Sequence, residues 1–204
     1  MPRDIDVEAR LNDIAAATIR VARTSGTHAV TIRAVARELG GSTTLVTNYL
    51  PSRGALIINV LDRANARWKR EWEAASAGMS AAKRFESLIT LQRDPDGIEP
   101  VLRGLILEIV ANSASEPALR ASLHAESQAF LSVLHAAARA AGYDDPRAAA
   151  DIGYLLLRGA YFANAEEPEH WSIDHTRKIA LHALRALPRR PEAPTPASAP
   201  LDVH

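Results

Sequence analysis

Cysteine is absent from the 204 residues. That rules out disulfides, thiolate metal sites, iron–sulfur clusters and a cysteine nucleophile. It also suits a reducing compartment, and a cytoplasmic location is expected. Aromatic residues make up only 5% of the chain. No apolar run approaches the roughly 18 residues of a membrane span, so no membrane partner is expected. The start, Met1-Pro2-Arg3-Asp4-Ile5-Asp6, has mixed charge and no apolar stretch, and no signal peptide is expected there. Enzyme signatures are missing too: there is no G-x-S-x-G, H-E-x-x-H, G-x-G-x-x-G or Walker A pattern. Gly40-Gly41-Ser42-Thr43-Thr44 lacks the lysine and flanking strand of a phosphate loop. Neither enzymatic activity nor a cofactor is expected.

What is present is an ordinary globular composition, 47% hydrophobic and 24% charged. Net charge is zero, from 24 basic and 24 acidic residues, but it is unevenly spread. Residues 1–70 hold 11 Lys/Arg against 6 Asp/Glu; residues 71–204 hold 13 against 18. A basic first third joined to an acidic remainder suggests two tasks, one of them facing a polyanion. Arginine outnumbers lysine 21 to 3, which with the abundant alanine points to the codons of a GC-rich bacterial genome.

The hydrophobic pattern is helical throughout, with no convincing period-2 strand, and the expected fold class is all-α with about nine helices. Leu11, Ile14, Ala15, Thr18 and Ala22 line one face of a first helix that stops near Ser25-Gly26. Thr31 can cap a second helix, Ile32–Leu39, and Ser42 a third, Thr43–Tyr49. A long fourth helix follows Ser52 to about Ala77, a fifth runs from Ser80 to about Leu91, and a turn cluster occupies 93–97. Helices six to nine are expected from near Pro100, over Pro117–Ala141, over Pro146–Ala165 and over Ser172–Leu187. Residues 188–204 hold five of the twelve prolines and read as a disordered tail.

The informative stretch is Thr31–Arg53. Ala36 is small where two helices must cross closely, Gly40 four residues on can take a positive φ, and Val46 six further on faces the first helix of the pair. Small, glycine at +4 and aliphatic at +10 is the spacing of a helix-turn-helix. Thr43, Thr44, Thr47 and Asn48 point outward from the second helix, short donors and acceptors suited to base edges and phosphates. An αα-corner buried in a core would not place so many polar residues on one helix.

Residues 10–60 resemble the N-terminal domain of the TetR family of transcriptional regulators. The residues that carry the likeness are Gly26, Thr31-Ile32, Val35-Ala36, Leu39-Gly40-Gly41-Ser42, Leu45-Val46-Thr47-Asn48-Tyr49-Leu50 and Pro51-Ser52-Arg53-Gly54-Ala55-Leu56. Gly41 stands where the family pattern has valine, Thr47 where it has tyrosine, Leu50 where it has phenylalanine and Arg53 where it has lysine. The resemblance implies a DNA-binding domain over 1–54, an effector-binding and dimerisation domain over 55–187, and the tail over 188–204. It implies a ligand-responsive regulator, a repressor released from operator DNA by a small molecule. It places Thr31 and Arg33 near the DNA, with Arg33 matched to a guanine edge. Ser42, Thr43, Thr44, Thr47 and Asn48 belong to the recognition helix, and Tyr49 and Arg53 hold phosphates. The rival reading is an all-α small-molecule binder or enzyme with a non-functional helix-turn-helix.

The eighth helix is apolar nearly all round, through Ile152, Tyr154, Leu155, Leu156, Leu157, Tyr161 and Phe162. Such a helix is either central to its own core or shared between that core and a second subunit. The second case gives a homodimer through helices eight and nine. Trp68 and Trp72, one turn apart, are the leading candidates for an effector site, with Phe85, Ile106, Phe130, Tyr154 and Tyr161. That lining suits an apolar or aromatic molecule. The histidine pairs His124/His135 and His175/His182 are eleven and seven residues apart, too far for one ion, and no metal is expected.

Overall fold

The computed structural model describes residues 6–90, 99–112 and 117–190. Regular structure among them is nine α-helices and one short 3-10 turn. The helices are α1 (Val7–Ser25), α2 (Ile32–Glu38), α3 (Thr43–Thr47), α4 (Arg53–Ala75), α5 (Ala81–Thr90), α6 (Glu99–Asn112), α7 (Pro117–Ala140), α8 (Pro146–Glu166) and α9 (Ile173–Ala186); the 3-10 turn, Thr27–Ala29, precedes α2. No described helix is long and apolar enough to cross a membrane. The turn expected at 93–97, the N-terminal five residues and the stretch from 191 onward lie outside the described residues.

Local chemistry accounts for most helix ends. Asp6 caps α1, its carboxylate accepting from the amides of Glu8 and Ala9. Thr31, Asp145 and Ser172 cap α2, α8 and α9 in the same way, accepting from Ala34, Ala148 and His175. Gly78, at φ +77°, follows the end of α4 at Ala75, two residues earlier than periodicity suggests. The third helix also ends early, at Thr47, because Asn48 and Tyr49 form a closing turn ahead of Pro51.

Packing groups the chain into two compact units. The first holds Met1–Ala75 and Gln92–Gln128. Its core runs without interruption from Ile14, Val21, Val35 and Val46 through Leu56, Ile57 and Val60 of α4 to Val101, Leu105 and Ile109 of α6. The boundary expected at residue 54 therefore falls inside α4, whose first turns bury Leu56 and Ile57 in that same core. Polar ties fix α4 on α1. Asn59 donates to the Leu11 carbonyl at 2.9 Å, and Arg63 reaches Asn59, Asn12 and Glu8.

The second unit holds Ser76–Leu91 and Ala129–His204. Phe85 is its largest fully buried side chain, with Tyr143 edge-on at 5.2 Å between ring centres. Gly153 of α8 lies so close to α5 that a Cβ there would clash with the Ile89 side chain. Glu86 accepts both N–H arms of Arg185, joining α5 to α9. Burial pushes the Tyr143 hydroxyl above its ordinary pKa, and it donates to the Leu184 carbonyl at 3.1 Å. Residues 188–190, expected as the start of a tail, instead pair with 142–144: Asp144 donates to Pro188, Arg190 donates to Gly142, and Tyr143 bridges Arg189. The Gly142 and Tyr143 amides close back onto Arg139 and Ala138 of α7, while the Gly142 carbonyl and the Asp144 amide find their partners in 188–190.

Candidate functional site

The α2–α3 pair forms because one position admits only a residue without a side-chain penalty. Gly40 sits at φ +70°, and its amide donates to Arg37 while the Gly41 amide donates to Ala36. These two bonds make a Schellman closure and reverse the chain within three residues. Val35 and Ala36 below the turn and Val46 on α3 are buried against one another. Ser42 holds the cap position of α3 with extended backbone but makes no side-chain cap bond. Arg20 of α1 pairs with Glu38 at 2.6 Å and anchors the far end of α2.

The two glycines are not equivalent. A Cβ on Gly40 would meet no atom within 4 Å, yet its positive φ strains any L residue; a Cβ on Gly41 would touch the Leu45 Cδ1 at 3.4 Å, an ordinary contact. Gly40→Ala is expected to lower stability by about 1 kcal/mol. Gly41→Ala is expected to raise it by about 0.4–1 kcal/mol, since the unfolded chain loses freedom. Urea titration of both variants measures this, and equal effects would contradict the placement of the turn.

Thr31, Arg33, Ser42, Thr43, Thr44, Thr47 and Asn48 are all exposed. Arg33 forms no ion pair among the described residues, so its five N–H donors are available to an incoming partner. Arg37, one turn on from Arg33, is likewise exposed and basic. It carries no part of the helix-turn-helix motif, but its i, i+4 spacing on α2 sets it on the same face as Arg33. Tyr49 is half-buried and packs against the core of this unit.

Arg53 is turned inward. Its Nε donates to the Val30 carbonyl at 2.9 Å, one terminal nitrogen donates to the Thr27 carbonyl at 3.2 Å, and the same nitrogen pairs with Glu108 of α6. Ser52, its neighbour, caps α4 by accepting from the Ala55 amide at 3.1 Å.

The candidate effector residues fall in both units. In the first, Trp68 and Trp72 stack with ring centres 6.2 Å apart and planes 13° from parallel. Ile106 packs against the shared core of α1, α4 and α6. In the second, Phe85 is a fully buried core residue. Phe130 and Tyr154 lie 6.3 Å apart, with the Arg158 guanidinium 5.2 Å from the Tyr154 ring centre. Tyr161 is half-buried. Among the described residues no group of three or more His, Asp or Glu gathers as a metal site, and His135 pairs with Asp151 at 3.3 Å.

A groove of about 400 Å³ runs between α8 and α9 in the second unit, lined chiefly by Ile152, Leu155, Leu156, Trp171 and Ile179. Its floor includes Gly159, where a Cβ would meet nothing within 4 Å. Leu155 is 67% exposed, and Phe162, Ile173 and Ile179 are exposed as well. Trp171, isolated in the turn after α8, carries no periodic signal in the sequence.

Neither a protein-family model nor a curated protein sequence matches the chain. Solved structures do match in fold. A TetR transcription regulator from Haloarcula marismortui aligns with a TM-score of 0.77 at 19% identity, covering 88% of this chain and 98% of that one. A transcriptional regulator from Rhodococcus sp. Rha1 aligns with a TM-score of 0.72 at 16% identity, covering 85% and 95%. The transcriptional regulator FadR from Bacillus subtilis, in complex with stearoyl-CoA, aligns with a TM-score of 0.64 at 14% identity, covering 86% and 97%. The likeness is one of fold, and it extends over the whole of these regulators rather than their helix-turn-helix alone.

Proposed function

We propose that the chain is a dimeric transcriptional regulator that binds operator DNA through α2 and α3 and releases it when a small molecule binds. The observation that carries this reading is the Gly40 turn. It holds a short helix with Thr43, Thr44, Thr47 and Asn48 exposed, beside an α2 whose Arg33 and Arg37 are exposed and basic. Polar short side chains read base edges, and a fork of N–H donors matches the O6 and N7 of guanine. The protein acts as a homodimer through α8 and α9, whose apolar groove and exposed Leu155, Phe162 and Ile179 support that surface. Two-fold symmetry would set the recognition helices about 34–36 Å apart, in successive major grooves.

The test is enrichment from a random-sequence duplex pool. Recovery of a near-palindrome, bound with an affinity that falls as salt rises, supports the reading. Ligand binding by a protein that enriches no duplex would favour an all-α binding protein with an inert helix-turn-helix.

The effector reading places an apolar or aromatic molecule at Trp68 and Trp72, because the stacked pair lies on the helix that also enters the DNA-binding core. A ligand there acts on α4 directly, and it must bind the DNA-free form better by about 1.4 kcal/mol for each tenfold loss of operator affinity. With Trp171 replaced by phenylalanine, an inducer should shift the remaining tryptophan emission. Trp68→Ala or Trp72→Ala should weaken its effect on DNA release. An inducer that acts unchanged on the double variant would remove the tryptophans from the site.

A further inference from the structure

The family resemblance assigns Arg53 a phosphate, yet three of its five N–H donors are taken within the fold. Val30 and Thr27, whose carbonyls it binds, bracket the 3-10 turn that leads into α2. Its ion-pair partner, Glu108, comes from α6, and both side chains are largely buried, 27% and 22% exposed. A second contact joins the same two elements: a Cβ on Gly104 of α6 would lie 3.1 Å from the Thr27 methyl, so α6 and the turn are already close-packed. Immediately after the turn, Thr31 caps α2 and Arg33 stands exposed.

We propose that Arg53 is a positioning residue for DNA docking rather than a phosphate ligand. With Glu108 it locks the 3-10 turn to α6 and so fixes where α2 begins and where Thr31 and Arg33 stand. The consequence for DNA rests on the DNA-binding reading above. The ion pair is neutral as a unit, which leaves little net charge for a phosphate. The geometry also requires arginine. Two carbonyls and a carboxylate are met from a planar fork, which the single ammonium of lysine cannot reproduce. Lysine, in contrast, is a good point-charge ligand for phosphate.

That difference supplies the test. Arg53→Lys, Arg53→Ala, Glu108→Gln, Glu108→Ala and the Arg53→Ala/Glu108→Ala double variant are titrated with a duplex that the parent enriches from a random pool, at several salt concentrations. Amide exchange is followed at Ala34 and Val35, whose N–H groups close the first turn of α2. The lock predicts that Arg53→Lys fails to rescue and weakens binding roughly tenfold, as Arg53→Ala and Glu108→Ala do, with little further loss in the double variant. The salt slope stays near the parent's, and exchange at Ala34 and Val35 quickens in each. Glu108→Gln, which keeps an acceptor, should lie between. A phosphate ligand predicts the opposite: Arg53→Lys behaves as the parent, Arg53→Ala lowers the salt slope by about one per subunit, and Glu108→Ala changes nothing. That pattern overturns the proposal. If the parent enriches no duplex, the DNA reading fails; the lock is then judged by exchange alone, and unchanged exchange in Arg53→Lys overturns it.

Discussion

Leu155→Glu is expected to convert the proposed α8–α9 dimer into a folded monomer. Leu155 is 67% exposed in the single chain and lines the α8–α9 groove, so its replacement removes almost nothing from the subunit's own core. Leu157, equally apolar and on the same helix, is half-buried and would confound folding with association. In a two-fold interface each substitution occurs twice and places an unpaired carboxylate in an apolar seam. A buried, unpaired charge costs about 3–5 kcal/mol, so the dimer dissociation constant should rise a hundredfold or more. Operator affinity should fall with it, since a monomer engages only one half-site. Light scattering with far-UV circular dichroism separates the outcomes. A variant that stays dimeric, or a parent that is monomeric at micromolar concentration, removes α8 and α9 from the interface.

Arg33→Ala is expected to weaken operator binding by about 1–3 kcal/mol in each half-site and to relax preference at one base pair there. Across a dimer the two losses add, because the half-sites are far apart. Stability should be unchanged, since the Arg33 side chain is exposed and forms no ion pair among the described residues. Arg37→Ala offers the contrast. If Arg37 meets the backbone, its loss weakens every sequence alike and flattens the salt slope. Titration against the enriched duplex and a scrambled one reads both effects. Equal losses on the two duplexes for Arg33→Ala would assign it to phosphate rather than to a base.

The elements that were legible in the sequence are those set by a single local preference. Gly40 follows from the left-handed φ that the turn demands, and the cap at Thr31 lies within three residues of the amide it satisfies. The outward polar residues of α3 follow from helical period once Val46 is placed inward. What was not legible depends on partners distant in the chain. The direction of Arg53 is decided by the Val30 and Thr27 carbonyls and by Glu108, which are 23, 26 and 55 residues away. The phosphate role that the family resemblance implies for Arg53 takes no account of those partners. In the same way, a boundary at residue 54 looks natural from the motif, but the core of α1 to α4 is completed by Val101, Leu105 and Ile109 of α6. The pairing of Arg189 with Tyr143 was hidden by the proline-rich composition that follows. The candidate effector residues illustrate a further limit. Apolar side chains at helical spacing look alike whether they line a site or fill a core, and Phe85 and Ile106 belong to cores.

Hydroxyl-radical footprinting of the enriched duplex, run beside sedimentation of the complex, tests the DNA-binding dimer most directly. Two symmetric protected patches about 34–36 Å apart, with two chains per duplex, are the expected outcome. Loss of both patches together in Leu155→Glu should accompany it. Uniform protection along the duplex, a single patch from one chain, or no protected position at all would contradict a dimer that reads DNA through α2 and α3.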